Sequence, residues 1–205
     1  MIVVWILAAL IMAVLQASFF EWAFHRYWLH RPWLPKHCFT THTLVHHQLC
    51  KFEDTFHVHE KEQDEALTFN WWGGPTLLLI NLAPWLAVAW GAHGAGVELP
   101  YLAMLISFGA TFGLYYAGYE SLHFLMHKPT LPLIEHSAYF RFIKRHHRIH
   151  HARMDRNLNV FIPAADWLLG TLATETSVIP AHTPEGARRL ARRHSRRKPA
   201  KAGSR

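Results

Sequence analysis

Lys144 to His151 reads KRHHRIHH and places His147, His150 and His151 at positions i, i+3 and i+4. On a helix turning about 100° per residue, His147 stacks with both of the others, while His150 and His151 diverge enough to reach two different acceptors. Neutral imidazole is the commonest metal ligand among side chains. Three earlier segments carry matching donors: His25 and His30 in HRYWLH, His42, His46 and His47 in HTLVHH, and His123 and His127 in HFLMH. One ion takes roughly four to six such donors, so ten clustered histidines are most simply the ligands of two ions. Chance pairing competes with this reading, because the chain has 18 histidines in 205 residues. The surplus, however, lies almost wholly in the clusters. The other eight (His37, His57, His59, His93, His136, His146, His182 and His194) are expected on the surface or in the core, with His136 and His146 the nearest alternates for a ligand role.

The elements that must position these rings point to a membrane. The chain is 51% apolar and 14% aromatic with nine Trp, and only 17% charged, richer in apolar residues and poorer in charge than a typical soluble domain. Met1 to Phe24 carries no charge before Glu21 and is long enough to cross a hydrocarbon layer of about 30 Å. With no basic leader and no small-residue cleavage site ahead of the histidines, it reads as a retained anchor. Trp71 to Ala92 and Leu99 to Tyr119 are two further apolar runs joined by a Gly-rich turn, and together they predict a helical hairpin. Trp71, Trp72 and Trp90 fall near its ends, where indoles favour the interface. Gly109, Gly113 and Gly118 are read as close-packing positions rather than as room for an acyl chain. The expected fold is an all-α integral membrane protein with about three transmembrane helices and a histidine-rich helical cap. The turn has no Lys or Arg, whereas Arg26, Arg31, Lys36, Lys51 and Lys61 flank the first boxes. The cap and C-terminus are therefore expected in the cytoplasm.

Local signals refine the boxes. Five residues rotate an α-helix by about 140° net, so His25 and His30 cannot aim at one point unless the helix bends or ends there; Pro32 and Pro35 are placed to end it. His42 to His47 reads as a short helix with Thr40 or Thr41 as N-cap, His42 and His46 sharing a face. Lys51 to Glu65 is polar and aperiodic and reads as a solvated loop. Pro163 to Thr171 reads as an amphipathic interfacial helix with a structural role open to Asp166. An all-histidine shell leaves two divalent ions with uncompensated charge, which Glu21 near His25, Glu120 near His123, Glu135 and Asp155 are expected to balance from outside the ligands.

Residues 1–183 form one unit, and 184–205 form a basic tail with nine Lys or Arg against one Glu, which supplies the whole of the net +7. On a membrane protein such a tail suits anionic lipid at about 1 kcal/mol per basic residue, and no nucleic-acid partner is expected. Cys38 and Cys50 form no CxxC pair and read as free and incidental. HExxH, GxSxG, Gly-rich phosphate loops and CxxCH are all absent, which removes a zincin, a serine hydrolase, a nucleotide enzyme and a c-type cytochrome.

The ordered set H-x4-H, H-x3-HH, H-x3-H, H-x2-HH, followed by Asn157-x-Asn159 and Asp166-Trp167-Leu168-Leu169-Gly170-Thr171, resembles the fatty acid hydroxylase and sterol desaturase superfamily of integral-membrane di-iron enzymes. The likeness runs from about Glu21 to Thr171. It implies two iron ions held by the ten clustered histidines, with zinc able to replace iron on overexpression. It also implies O2 as co-substrate, a lipid substrate and a separate electron donor such as a ferredoxin, cytochrome b5 or a reductase. Asn159 joins Glu21 and Glu120 as a candidate outer partner of the ligands. The expected reaction is hydroxylation of an unactivated lipid C–H bond, with lipid desaturation or carotenoid ring hydroxylation as alternatives. A membrane metal transporter or metal-binding protein is the non-enzyme alternative; it is disfavoured because the hairpin carries only His93 and Glu98, both in its turn.

Overall fold

The structure, a computed structural model, describes residues 1–50, 57, 58 and 61–174. Among these the chain is all-helical, without strands. Helix α1 (Ile2–Phe24) runs into a π turn at His25–Leu29. A short α2 (Lys36–Phe39), a π-helical stretch Thr40–His46 and α3 (His47–Cys50) follow as one continuous rod. After a 3-10 helix at Lys61–Ala66 come the long α4 (Gly73–Gly94) and α5 (Tyr101–His127). The chain closes with α6 (Pro132–Glu135), α7 (Ala138–Ala152) and α8 (Ala164–Leu168).

Three helices are long and apolar enough to cross a membrane: Ile2–Leu29, Gly73–Gly94 and Tyr101–His127. Each spans at least the roughly 30 Å of hydrocarbon at about 1.5 Å per residue. Because α4 and α5 form an antiparallel hairpin, α1 and α5 both end at the same face, and their last turns deliver His25, His123 and His127 there. Apolar burial gives little drive in a bilayer, so close packing and polar contacts must join the spans. The sequence supplies both. Ala9, Ala13 and Ala17 recur every four residues and are buried, and the last two pack against Phe108, Phe112 and Tyr115, which recur on one face of α5. Helix α4 buries little beyond Gly73 and Asn81 and is tied to α1 by hydrogen bonds: Gln16 Nε2 donates to Asn81 Oδ1 (3.0 Å), and Trp85 Nε1 donates to Gln16 Oε1 (2.7 Å).

Several local expectations are corrected. Thr40 and Thr41 are not N-caps, because the helix already starts at Lys36 after Pro35. Of the three α5 glycines, only Gly118 is a close-packing position: a Cβ there would meet Phe161 at 2.8 Å, whereas Gly113 faces open space and Gly109 has only Leu82 at 4.0 Å. The segment read as a solvated loop is anchored where it is described, since Val58 is buried and its N–H donates to the His127 carbonyl. Residues 51–56, 59 and 60, and the basic tail, lie outside the described residues.

Helix α7 begins at Ser137, whose hydroxyl caps the Phe140 N–H. Its inner face buries Phe140, Ile143, His147 and His150. Behind it, Asn157 to Val160 threads between α1 and α8, with Asn157 in a left-handed conformation (φ 52°) that asparagine tolerates. The interfacial helix read over Pro163 to Thr171 contracts to α8, which buries Ala165 and Asp166 and exposes Trp167 and Leu168.

Candidate metal centre

Two departures from α geometry bring the histidines together. A π turn closes i→i+5 hydrogen bonds and so stacks residues five apart. His30 N–H donates to His25 O, and the two imidazoles lie parallel at 5.0 Å. The helix therefore widens through one turn before it ends, which is how a spacing unsuited to an α-helix converges. In the second box the π register brings His42 and His47 together, with Nε2 atoms 3.2 Å apart. His42 and His46, expected on a shared helix face, divide between two donor groups.

One donor atom from each of His25, His30, His42, His47 and His150 lies within 4.8 Å of all the others, and His46, His127, His147 and His151 form a second such group. His123 borders the second group, its Nε2 3.2 Å from that of His46. On α7, His150 joins the first group while His147 and His151 join the second, the divergence expected from their spacing. Within the first group, Nε2 separations are 2.9 Å for His25–His42 and 3.0 Å for His30–His150. In the second, His127–His147 and His147–His151 are both 3.0 Å. Metal–nitrogen bonds of about 2.1 Å set neighbouring nitrogens about 3.0 Å apart at right angles, but about 3.4 Å apart in a tetrahedron. The shortest separations in each set are therefore those of donors that could share one ion.

Proton positions give an independent test of fit. His150 Nδ1–H donates to the Arg156 carbonyl (2.8 Å), which leaves only a lone pair on Nε2 in the neutral ring. Thr43 commits its hydroxyl proton to Leu29 O (2.6 Å), so it accepts from His30 Nδ1 (3.0 Å), and His30 Nε2 is likewise a bare lone pair. Two lone pairs then face each other at 3.0 Å in a buried site, a repulsive arrangement that a cation between them turns into ligation. His25 Nδ1–H, donating to Leu158 O, and His123 Nδ1–H, donating to Leu67 O, orient their Nε2 atoms in the same way. Burial, with repulsion from His150, pushes His30 down to about 2; burial brings His150 to about 4 against a bond to Arg156 that opposes the shift. Burial and neighbouring imidazoles also hold His42, His46, His47, His147 and His151 well below the ordinary histidine range. At neutral pH these rings offer lone pairs without first losing a proton.

The expected carboxylate partners do not touch the ligands. Glu21 accepts from Tyr115 Oη (2.6 Å), the Val160 N–H and Asn159 Nδ2. Glu120 accepts from the Phe69 N–H, Glu135 from the Leu131 N–H, and Asp155 lies between Arg153 and Arg156. Asn159 binds Ser18 O, Glu21 and Asp166 instead of a ligand. The orienting groups are mainly backbone carbonyls, which leave no mark in a side-chain pattern. Glu21 and Glu120 act one layer further out: Glu21 fixes Val160 beside Leu158, and Glu120 fixes Phe69 beside Leu67.

Two side chains also orient ligand rings. Thr43 lies inside the second box. Cys50, read as incidental, is fully buried with Sγ 3.2 Å from His127 Nδ1. Thr43→Val should weaken metal binding about 10- to 100-fold without changing the number of ligands; titration of the apo protein with cobalt would show it, and an unaltered affinity would remove Thr43 from the site. Of the other histidines, His37, His93 and His136 are exposed, and His146 is buried against Asp166 (3.1 Å). His59, His182 and His194 lie outside the described residues.

A cavity between α1, α4 and α5 has His25 in its wall. Phe20, Phe24, Phe69, Phe112 and Tyr119 line it. Its volume is about 40 Å³, against roughly 10–15 Å³ for one water, and its walls are almost wholly apolar. No family model, curated protein or solved structure matches the chain.

Proposed function

We propose that this protein is a membrane di-iron oxygenase that hydroxylates an unactivated C–H bond of a lipid. The observation that carries the reading is the pair of histidine sets whose lone pairs converge at 3.0 Å, beside an apolar cavity that reaches His25. Imidazole alone accepts iron, zinc or copper; iron is chosen by the resemblance of the four boxes. Two bound irons would supply activation of O2. The overall reaction inserts one oxygen atom into the C–H bond and reduces the other to water with two electrons and two protons, the electrons coming from a separate donor protein.

The chain's own residues do the rest. His25, His30, His42, His47 and His150 would hold one ion, and His46, His127, His147 and His151 with His123 the other. Leu158 O, Arg156 O, Leu67 O and Thr43 hold the donor tautomers. The aromatic cavity walls exclude water and align an apolar segment beside His25. Lipid mass spectrometry of membranes supplied with O2 and a reductant, comparing wild type with His147→Ala, should show a product heavier by one oxygen in the wild type alone. Metal bound at both sets with no lipid product, under several donors, would replace the oxygenase with a metal-binding protein.

The Lys and Arg residues around the cap support a reading in which that end faces the cytoplasm, with the α4–α5 turn on the other side. A cysteine introduced at Gly94, which has open space around it, should label only from the non-cytoplasmic side. Labelling from the cytoplasm would reverse the orientation.

A further inference from the structure

One residue beyond His25 and His30 stand Arg26 and Arg31, the first within the π turn and the second just after it. Trp22 and Arg26 lie on the opposite face of the first helix from Ala13, Ala17 and Glu21, away from the cavity. The Arg26 guanidinium lies 5.1 Å from the Trp22 ring centre and 5.9 Å from that of Tyr27, and Arg31 lies 5.1 Å from Tyr27 and 5.9 Å from Trp33. The rings continue the ladder, with Trp22 to Tyr27 at 6.1 Å and Tyr27 stacked on Trp33 at 5.5 Å. Two cations therefore share one aromatic ring, and no carboxylate among the described residues pairs with either. Cation–π contact satisfies the faces of the guanidiniums and leaves their edge N–H groups, the donors that match phosphate oxygens. Two guanidiniums around one ring, with no carboxylate partner among the described residues, favour an anion.

The geometry points to Arg26 and Arg31 as a clamp for the phosphate of an anionic phospholipid at the end of the first span. A lipid is the source because the ladder lies where the apolar helix ends and where Trp and Tyr rings favour the interface. Occupancy of the clamp steadies the π turn and, through it, the spacing of His25 and His30. This inference rests on α1 being a membrane span and not on the oxygenase reading, so either can fail alone.

The test is native mass spectrometry of the full-length protein released from nanodiscs of phosphatidylcholine with graded phosphatidylglycerol. The wild type should retain phosphatidylglycerol selectively. Arg26→Gln with Arg31→Gln should lower that retention about 25-fold, at about fivefold per arginine. Replacing both by Lys should cost less, because the charge stays while the planar fork is lost, and this pair guards against misfolding of the double Gln variant. Lys36→Gln, outside the ladder, should lower retention less than either single arginine change. Equal retention in wild type and the double Gln variant, or no preference over phosphatidylcholine, would overturn the clamp. Displacement of the lipid by inorganic phosphate at matched concentration would overturn the lipid as its source.

Discussion

If the protein is the proposed di-iron oxygenase, replacing His150 with alanine should strip the first of two metal ions and reduce lipid oxidation more than about 100-fold, since loss of even an outer orienting partner typically costs 10- to 100-fold. His150 is fully buried, its Nε2 is 3.0 Å from that of His30, and the Arg156 carbonyl fixes its tautomer. No carboxylate among the described residues bonds to the first set to substitute for it. The second set has its own donors on the same helix, His147 and His151, so elemental analysis should fall from about two ions per chain toward one rather than to zero. His93→Ala is the matched control: the ring is exposed in the α4–α5 turn, and surface changes usually cost within about 0.5 kcal/mol. Circular dichroism separates loss of metal from loss of fold. Two ions and full activity retained in His150→Ala would remove the central ligand from the site.

That the ions should be lost one at a time follows from how two helices share their histidines, and it shows what a sequence conveys. The α7 box was legible because i, i+3 and i+4 have known directions on an α-helix, and His150 and His151 diverge to different groups as that geometry requires. The three spans were legible because long apolar runs have few other uses. The pairing of His25 with His30 was not, since five residues converge only in a π turn and nothing in HRYWLH distinguishes a π turn from the end of a helix. His42 misled for the same reason: α geometry pairs it with His46, while the π register pairs it with His47. The outer layer was hidden more deeply. Carboxylates are conspicuous in a sequence and drew the assignment to Glu21 and Glu120, yet the rings donate to the carbonyls of Leu158, Arg156 and Leu67. Only the folded path of the chain reveals those acceptors.

Asp166 supports that path, and Asp166→Ala should be among the most damaging changes outside the ligands. Its buried carboxylate accepts from the N–H groups of Leu158 (2.9 Å) and Asn159 (2.7 Å), from Thr171 Oγ1 (2.6 Å) and from His146 Nε2 (3.1 Å). Truncation leaves four donors without an acceptor in a site closed to water, at a cost of about 3–5 kcal/mol for a broken buried charged network. Leu158 is held by Asp166 through its N–H and holds His25 through its carbonyl, so the loss reaches the first set of ligands directly. Metal should leave that set before the second, alongside a lowered melting temperature. Burial opposes ionisation of Asp166, but His146, Thr171 and the two N–H groups outweigh it and hold the carboxyl below its ordinary value of 3.8. Its contribution is therefore complete above about pH 4 and declines as pH falls through the lower folded value; the wild type should keep this contribution at pH 5. Asp155→Ala, exposed beside Arg153 and Arg156, should cost about 0.5 kcal/mol or less. An Asp166→Ala protein that melts with Asp155→Ala and binds two ions would show that the Asn157 to Val160 segment holds its course without the carboxylate.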